Sequence, residues 1–229
     1  IGLFSYQTFS KEDYDRFMEQ YLTGRPDWAI KDFGKPGMEA FNAKSCSWSP
    51  KVSGIRQRGE DDWLTLLVEK EISTGEEAII PGMPQQVFIE YRVHRQKPLI
   101  DITLTWFGKK ANRLPEALWF SFVPVVKEDG LWLMDKMGQD ISSQEVIKNG
   151  GHKMHAVTKL IRYADKSGTM KIDTLDAPLV APGERALLNF DNAKPAAGDG
   201  VHFCLCNNVW GTNFVMWFDE DMQYRFSIT

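Results

Sequence analysis

The sequence predicts a mostly β fold, an antiparallel sandwich of two layers with a short N-terminal helical segment. Three observations carry that reading. From about residue 46 the apolar residues recur with period two, as in strands with one packed face. The segment Ala117-Leu118-Trp119-Phe120-Ser121-Phe122-Val123 is apolar on both faces, which a second layer of sheet would cover most simply. The remaining apolar runs are short and separated by turn residues, the pattern of a sandwich.

Residues 1–45 read differently from the rest. Ser10 is a helix N-cap with Asp13 three residues on, a capping box. Tyr14, Phe17, Met18, Tyr21 and Leu22 then recur at helical spacing, and Gly24 and Pro26 end the helix. A loop through Gly34-Lys35-Pro36-Gly37 follows, so 1–45 is expected to be a helical lead-in to a β-domain over 46–229. In that domain Leu64, Leu66 and Val68 alternate with Thr65, Leu67 and Glu69. Val87, Ile89, Tyr91 and Val93 alternate likewise, turn at Arg95-Gln96-Lys97-Pro98, and return through Ile100, Ile102, Leu104 and Trp106 as an antiparallel hairpin. Further strands are expected at 157–163, 170–175, 185–190, 201–206 and 214–218, and at 222–228, where Met222, Tyr224, Phe226 and Ile228 alternate cleanly.

The 229 residues suffice for one large all-β domain. Hydrophobic residues are 43% and charged residues 25%, ordinary globular usage, so disorder is not expected. A net charge of −4 gives no general attraction to nucleic acid or acidic lipid. No apolar run approaches the roughly 20 residues of a membrane helix. Cys46, Cys204 and Cys206 are odd in number, so a disulfide framework is not expected. Cys204 and Cys206 should share one strand face as small buried side chains. The chain starts at Ile1 rather than Met, which suggests a piece of a longer protein and leaves the compartment open.

Candidate chemistry is sparse. His152 and His155 stand three apart without the Glu and spacing of a zinc helix, and read as structural histidines. No phosphate-binding glycine loop and no Gly-x-Ser-x-Gly elbow occurs. Asp61-Asp62, Glu76-Glu77 and Asp219-Glu220-Asp221 sit in turn-like contexts and read as solvated. No catalytic residue, metal ligand or cofactor site is assigned. The distinctive segment is Cys206-Asn207-Asn208-Val209-Trp210-Gly211-Thr212-Asn213-Phe214, between two strands. Asn amides and a Trp face together suit sugar hydroxyls and C–H faces. The same residues also suit a turn, with Trp210 capping the core. Asn207, Asn208, Trp210, Thr212 and Asn213 are therefore the candidate substrate-binding residues.

Those residues, with Trp217 and Tyr224-Arg225-Phe226, resemble the C-terminal end of glycoside-hydrolase-like proteins related to the family 38 α-mannosidases. Arg113-Leu114-Pro115-Glu116-Ala117-Leu118-Trp119-Phe120-Ser121-Phe122 agrees, as do Gly150-Gly151-His152 through His155, Tyr6-Gln7-Thr8-Phe9 and the Asp13-Tyr14 helix. The resemblance implies a β-supersandwich of the galactose-mutarotase-like kind. It also implies that the nucleophilic Asp and the zinc site belong to a separate N-terminal catalytic domain of the same polypeptide, which nothing here matches. The expectation is a non-catalytic C-terminal β-domain that packs on that catalytic domain and contributes the 207–213 loop to a carbohydrate site. The alternatives are a stand-alone carbohydrate-binding module, or a sugar epimerase on the same fold with His94, His152 or His155 as base.

Overall fold

The computed structural model describes residues 1–22, 24, 26–35, 37–71, 82–126, 130–211 and 215–229. In chain order the elements are β1 (Leu3–Thr8), α1 (Lys11–Tyr21), α2 (Asp27–Phe33), β2 (Cys46–Trp48), β3 (Lys51–Gly59), β4 (Trp63–Glu71), β5 (Gln86–His94), β6 (Ile100–Phe107), β7 (Glu116–Phe122), β8 (Leu131–Lys136), β9 (Gln139–Ser142), β10 (His155–Ala156), β11 (Leu160–Asp165), β12 (Gly168–Thr174), β13 (Leu179–Pro182), β14 (Val201–Asn207) and β15 (Met222–Ile228). They form two sheets with every pairing antiparallel, one of six strands ordered β10-β13-β14-β7-β1-β2 and one of nine ordered β3-β4-β5-β6-β15-β12-β11-β8-β9. Among the described residues no helix is long and apolar enough to cross a membrane.

The two sheets pack face to face over the main core. Phe4, Tyr6, Leu118, Phe120, Phe122 and Phe203 of the smaller sheet meet Ile89, Ile102, Leu104, Trp106, Tyr224 and Phe226 of the larger one. The alternation in the sequence is the cause: in β5, β6 and β15 each second residue points to this interface. The hairpin over Arg95–Pro98 and the strand at 222–228 fall where the alternation places them.

The strand β7 is buried along its whole length, as its doubly apolar sequence requires. Its second cover, however, is not sheet. Ala117 and Trp119 face outward from the sandwich and are covered by Tyr14 and Phe17 of α1, by Met38, and by Leu187 and Leu188. An amphipathic helix covers a strand's outer face as well as a sheet does, since either supplies only an apolar surface.

Residues 1–45 are accordingly no detached lead-in. β1 lies inside the six-stranded sheet between β7 and β2, pairing Leu3 with Ser121 through Thr8 with Glu116. The boundary expected at 45/46 therefore cuts through one sheet, because β2 at Cys46–Trp48 pairs with β1. The capping box is present: the Ser10 N–H donates to Asp13 Oδ2 (2.9 Å) at the start of α1. The Gly- and Pro-rich stretch also holds α2, which follows Pro26 and ends at Gly34.

Three other expectations are corrected. Residues 185–190 form no strand; Leu187 and Leu188 are buried from an irregular segment. No strand occurs over 215–218 either. Finally, Cys204 and Cys206 do not share a face. The pairing of β14 with β7 slips there, so that Cys204 lies opposite Trp119 and Cys206 opposite the adjacent Leu118. The extra residue, Leu205, is a bulge. It leaves Cys204 in the outer cluster and Cys206 against the main core. All three cysteines are free, and burial pushes the Cys204 thiol up to about 12 and the Cys206 thiol up to about 11.

Candidate functional site

The C-terminal end of β14 runs into the loop that the sequence singles out. Asn208 is buried, and both ends of its amide are committed to the chain. Its Oδ1 accepts from the Glu116 N–H (2.8 Å). Its Nδ2 faces the carbonyls of Asn112 (2.7 Å), Leu114 (3.1 Å) and Met216 (3.2 Å). Asn208 thus clamps the 112–114 loop to the segment around Met216, and it offers a ligand nothing. Asn207 is half-buried, with its amide 3.6 Å from Cys204 Sγ. Trp210 is half-buried and sits against Phe17 (5.4 Å between ring centres) and Phe33 (6.0 Å). It caps the outer core rather than lying flat on the surface. Thr212 and Asn213 lie outside the described residues.

Beneath this loop is a buried ionic cluster. Glu116, at the first position of β7, is 1% exposed. Lys109 Nζ donates to its Oε1 (2.6 Å), and also to the carbonyls of Phe218 (2.9 Å) and Lys110 (3.2 Å). The Tyr6 hydroxyl (2.6 Å) and Asn112 Nδ2 (3.2 Å) donate to its Oε2. Burial first, and the Glu116 charge second, push the Tyr6 phenol far above its usual range. A Cβ on Gly82, whose φ is +82°, would lie 2.0 Å from Glu116 Oε2, so that position tolerates glycine alone. With three donors on its two oxygens, Glu116 anchors β1, β7 and two loops.

Above the cluster opens a cavity of about 730 Å³, lined by Lys31, Lys35, Gly37, Met38 and Phe41, by Asn112, Arg113 and Leu114, and by Gly211 and Met216. Three distant segments therefore make one concavity. Lys35 is the pin between them: its Nζ donates to the Arg113 carbonyl (2.8 Å) and reaches the Met216 carbonyl (3.5 Å). Gly211 is the close approach. Its N–H donates to the Asp32 carbonyl (3.0 Å), and a Cβ there would fall 2.1 Å from the Gly34 carbonyl oxygen. The Arg113 guanidinium lies over the Trp217 ring, 4.5 Å from its centre. Met38, Phe41, Leu114 and Met216 supply the apolar part of the lining.

Among the described residues the lining carries three cations, Lys31, Lys35 and Arg113, and no carboxylate. Among the described residues none of these three forms an ion pair. Burial pushes the Lys35 ammonium down to about 8, against the pull of Glu116 upward, with Arg113 adding to the fall. A second cavity of about 350 Å³ lies beside β1 and β2, but its charged groups are already engaged. Asp13 accepts from Arg16 (2.8 Å) and from Ser45, Arg185 donates to Ser5 (2.5 Å), and Glu184 takes Lys153 (2.8 Å).

The histidines lie elsewhere. His152 and His155 are buried, with His155 Nε2 3.2 Å from the His152 carbonyl, and His94 packs on Trp63 (4.9 Å between ring centres). None of them lines the cavity over Glu116. Asp61, Asp62, Asp219, Glu220 and Asp221 are exposed, while Glu76 and Glu77 lie outside the described residues. Among the described residues no three His, Cys, Asp or Glu side chains converge as a metal site.

The loop sequence points to the end of the molecule at which this cavity opens; Lys35 and Asn112 carried no motif of their own, and Arg113 entered only as the first residue of a stretch that carries the resemblance. The signal at Lys35 is the cluster of glycines and prolines around it, which marks a loop but not its contacts. Compared with known proteins, residues 1–101 match a family model described as a domain of unknown function, DUF5054, which spans less than half of the chain. Among curated proteins no match is found.

Proposed function

We propose that this chain is the non-catalytic β-sandwich domain of a larger glycoside-hydrolase-like protein, and that its loop end frames a carbohydrate. The observation that carries the reading is the cavity over Glu116. It is concave, it joins three chain segments on a rigid buried cluster, and it mixes apolar surface with Asn112 and charged donors at its wall. Saccharide recognition asks for that mixture, since a sugar presents hydroxyls at its rim and C–H bonds on its faces. The resemblance of the 207–214 loop to the family 38-like proteins supports the same end of the domain. The neighbouring catalytic domain, the sugar contact and the parent activity are all parts of the proposal.

A panel of neutral and charged oligosaccharides titrated against the protein tests it, with tryptophan fluorescence and backbone amide shifts as readouts. Shifts that cluster on Lys31, Lys35, Asn112, Arg113 and Gly211 support the reading. Absence of saccharide binding by a folded protein overturns it. The attachment to a catalytic domain fails if the reading frame that encodes this chain carries no glycosidase module.

A further inference from the structure

Resting on the carbohydrate reading above, we propose that the cavity over Glu116 selects an acidic saccharide, one whose uronate carboxylate is held by Lys35 and Arg113.

The charge balance of the lining is the first ground. Among the described residues three cations and no carboxylate line this wall, in a chain whose formal net charge is −4. A concave wall of one sign, with low-dielectric protein behind it, concentrates field lines on a ligand of the opposite sign. Glu116 is buried outside the cavity lining and paired with Lys109 at 2.6 Å, so it does not cancel the wall.

The second ground is Lys35 itself. It is 8% exposed, and its two partners are neutral carbonyls of Arg113 and Met216. An ammonium has three donors and is costly to desolvate without a counter-charge. Its third donor has no acceptor among the described residues, and an anion in the cavity would supply it. The third ground is the posture of Arg113. Trp217 takes one face of its guanidinium at 4.5 Å, which leaves the N–H edge to meet a planar carboxylate in the two-pronged manner. Met38, Phe41, Leu114 and Met216 are then placed for the C–H face of the ring.

The test is calorimetry on the whole 229-residue chain with trigalacturonate, its methyl ester and a sulfated trisaccharide, with succinate as a non-sugar anion. Trigalacturonate is expected to bind at least about tenfold more tightly than its ester, a difference of about 1.4 kcal/mol. That preference is expected to vanish in Lys35→Met and to fall in Arg113→Gln, each checked for an intact fold by its melting transition. Arg113 is exposed, so its variant keeps the test open should Lys35→Met unfold. Equal binding of acid and ester overturns the inference and leaves the carbohydrate reading standing. Succinate binding as tightly as trigalacturonate overturns the saccharide part. A sulfated sugar preferred over the uronate overturns the carboxylate assignment. No binding of any saccharide overturns both readings.

Discussion

At the scale of single residues the Lys109–Glu116 pair decides how this end of the domain is built. Both side chains are fully buried, and each is satisfied by further partners, Tyr6 and Asn112 for the acid and two carbonyls for the amine. Taking two charges out of water costs several kcal/mol, and removing one partner leaves the other charge stranded. Lys109→Met is therefore expected to destabilise the protein by about 3–5 kcal/mol, read by urea unfolding. The double variant Lys109→Met/Glu116→Gln should recover part of that loss. A double variant no better than the single one would refute the stranded charge as the cause. Asn208 belongs to the same scale. The sequence marks it as a polar loop residue suited to sugar hydroxyls, but its amide is consumed by three carbonyls and one N–H. A sequence shows that an Asn has four hydrogen-bonding sites; it does not show who fills them.

At the scale of elements the loops are held by close approach. Gly211 packs on the end of α2 with its N–H on Asp32 and no room for a side chain. Gly211→Ala would place a methyl 2.1 Å from the Gly34 carbonyl, so either the loop or α2 must shift. The expected cost is about 1–3 kcal/mol, with faster hydrogen exchange across Asp27–Phe33 and, on the proposed function, weaker saccharide binding at the cavity. Unchanged exchange in α2 would show that the contact does not hold the helix. The helix α1 was legible because a capping box and a 3.6-residue period are local patterns. The strand β1 was not, because Leu3–Thr8 becomes a strand only where β2 and β7 flank it, more than thirty and more than a hundred residues away in sequence respectively. The bulge at Leu205 was hidden for a related reason: a slip in register is a property of two strands, not of one.

At the scale of the whole molecule, the sandwich buries titratable groups that link its stability to pH. Burial pushes the His155 imidazole below its ordinary value, with Lys136 and the neighbouring His152 adding to the fall and the His152 carbonyl opposing it. Burial does the same at His202, where the Arg185 charge adds and the carbonyls of Gly183 and Asp199 and the Asp199 charge oppose. A base whose folded value is depressed binds fewer protons folded than unfolded. Above about pH 6.5 both states are neutral there and nothing changes. As pH falls below that value the unfolded chain takes up protons first, and stability drops. Urea unfolding between pH 7.5 and 5 is expected to show this slope, and His155→Gln/His202→Gln to flatten it. An equal slope in the variant would assign the effect to other groups.

The sequence by itself determined the β class, the hairpin across Arg95–Pro98, the last strand, the capped helix and most of the buried aromatic positions. Each of these is written in the spacing of neighbouring residues, and the period of a strand or helix needs no partner to be seen. Tertiary structure alone decided that β1 completes the smaller sheet, that α1 rather than more sheet covers the outer face of β7, and that Leu205 bulges. It also decided which polar residues are spent and which remain. Asn208 and Glu116 are spent on the fold, whereas Lys31, Lys35 and Arg113 meet across a cavity from segments about eighty residues apart. The physical reason is common to all of these cases. Burial, pairing and charge balance are relations between distant parts of the chain, and they exist only once the chain has closed upon itself.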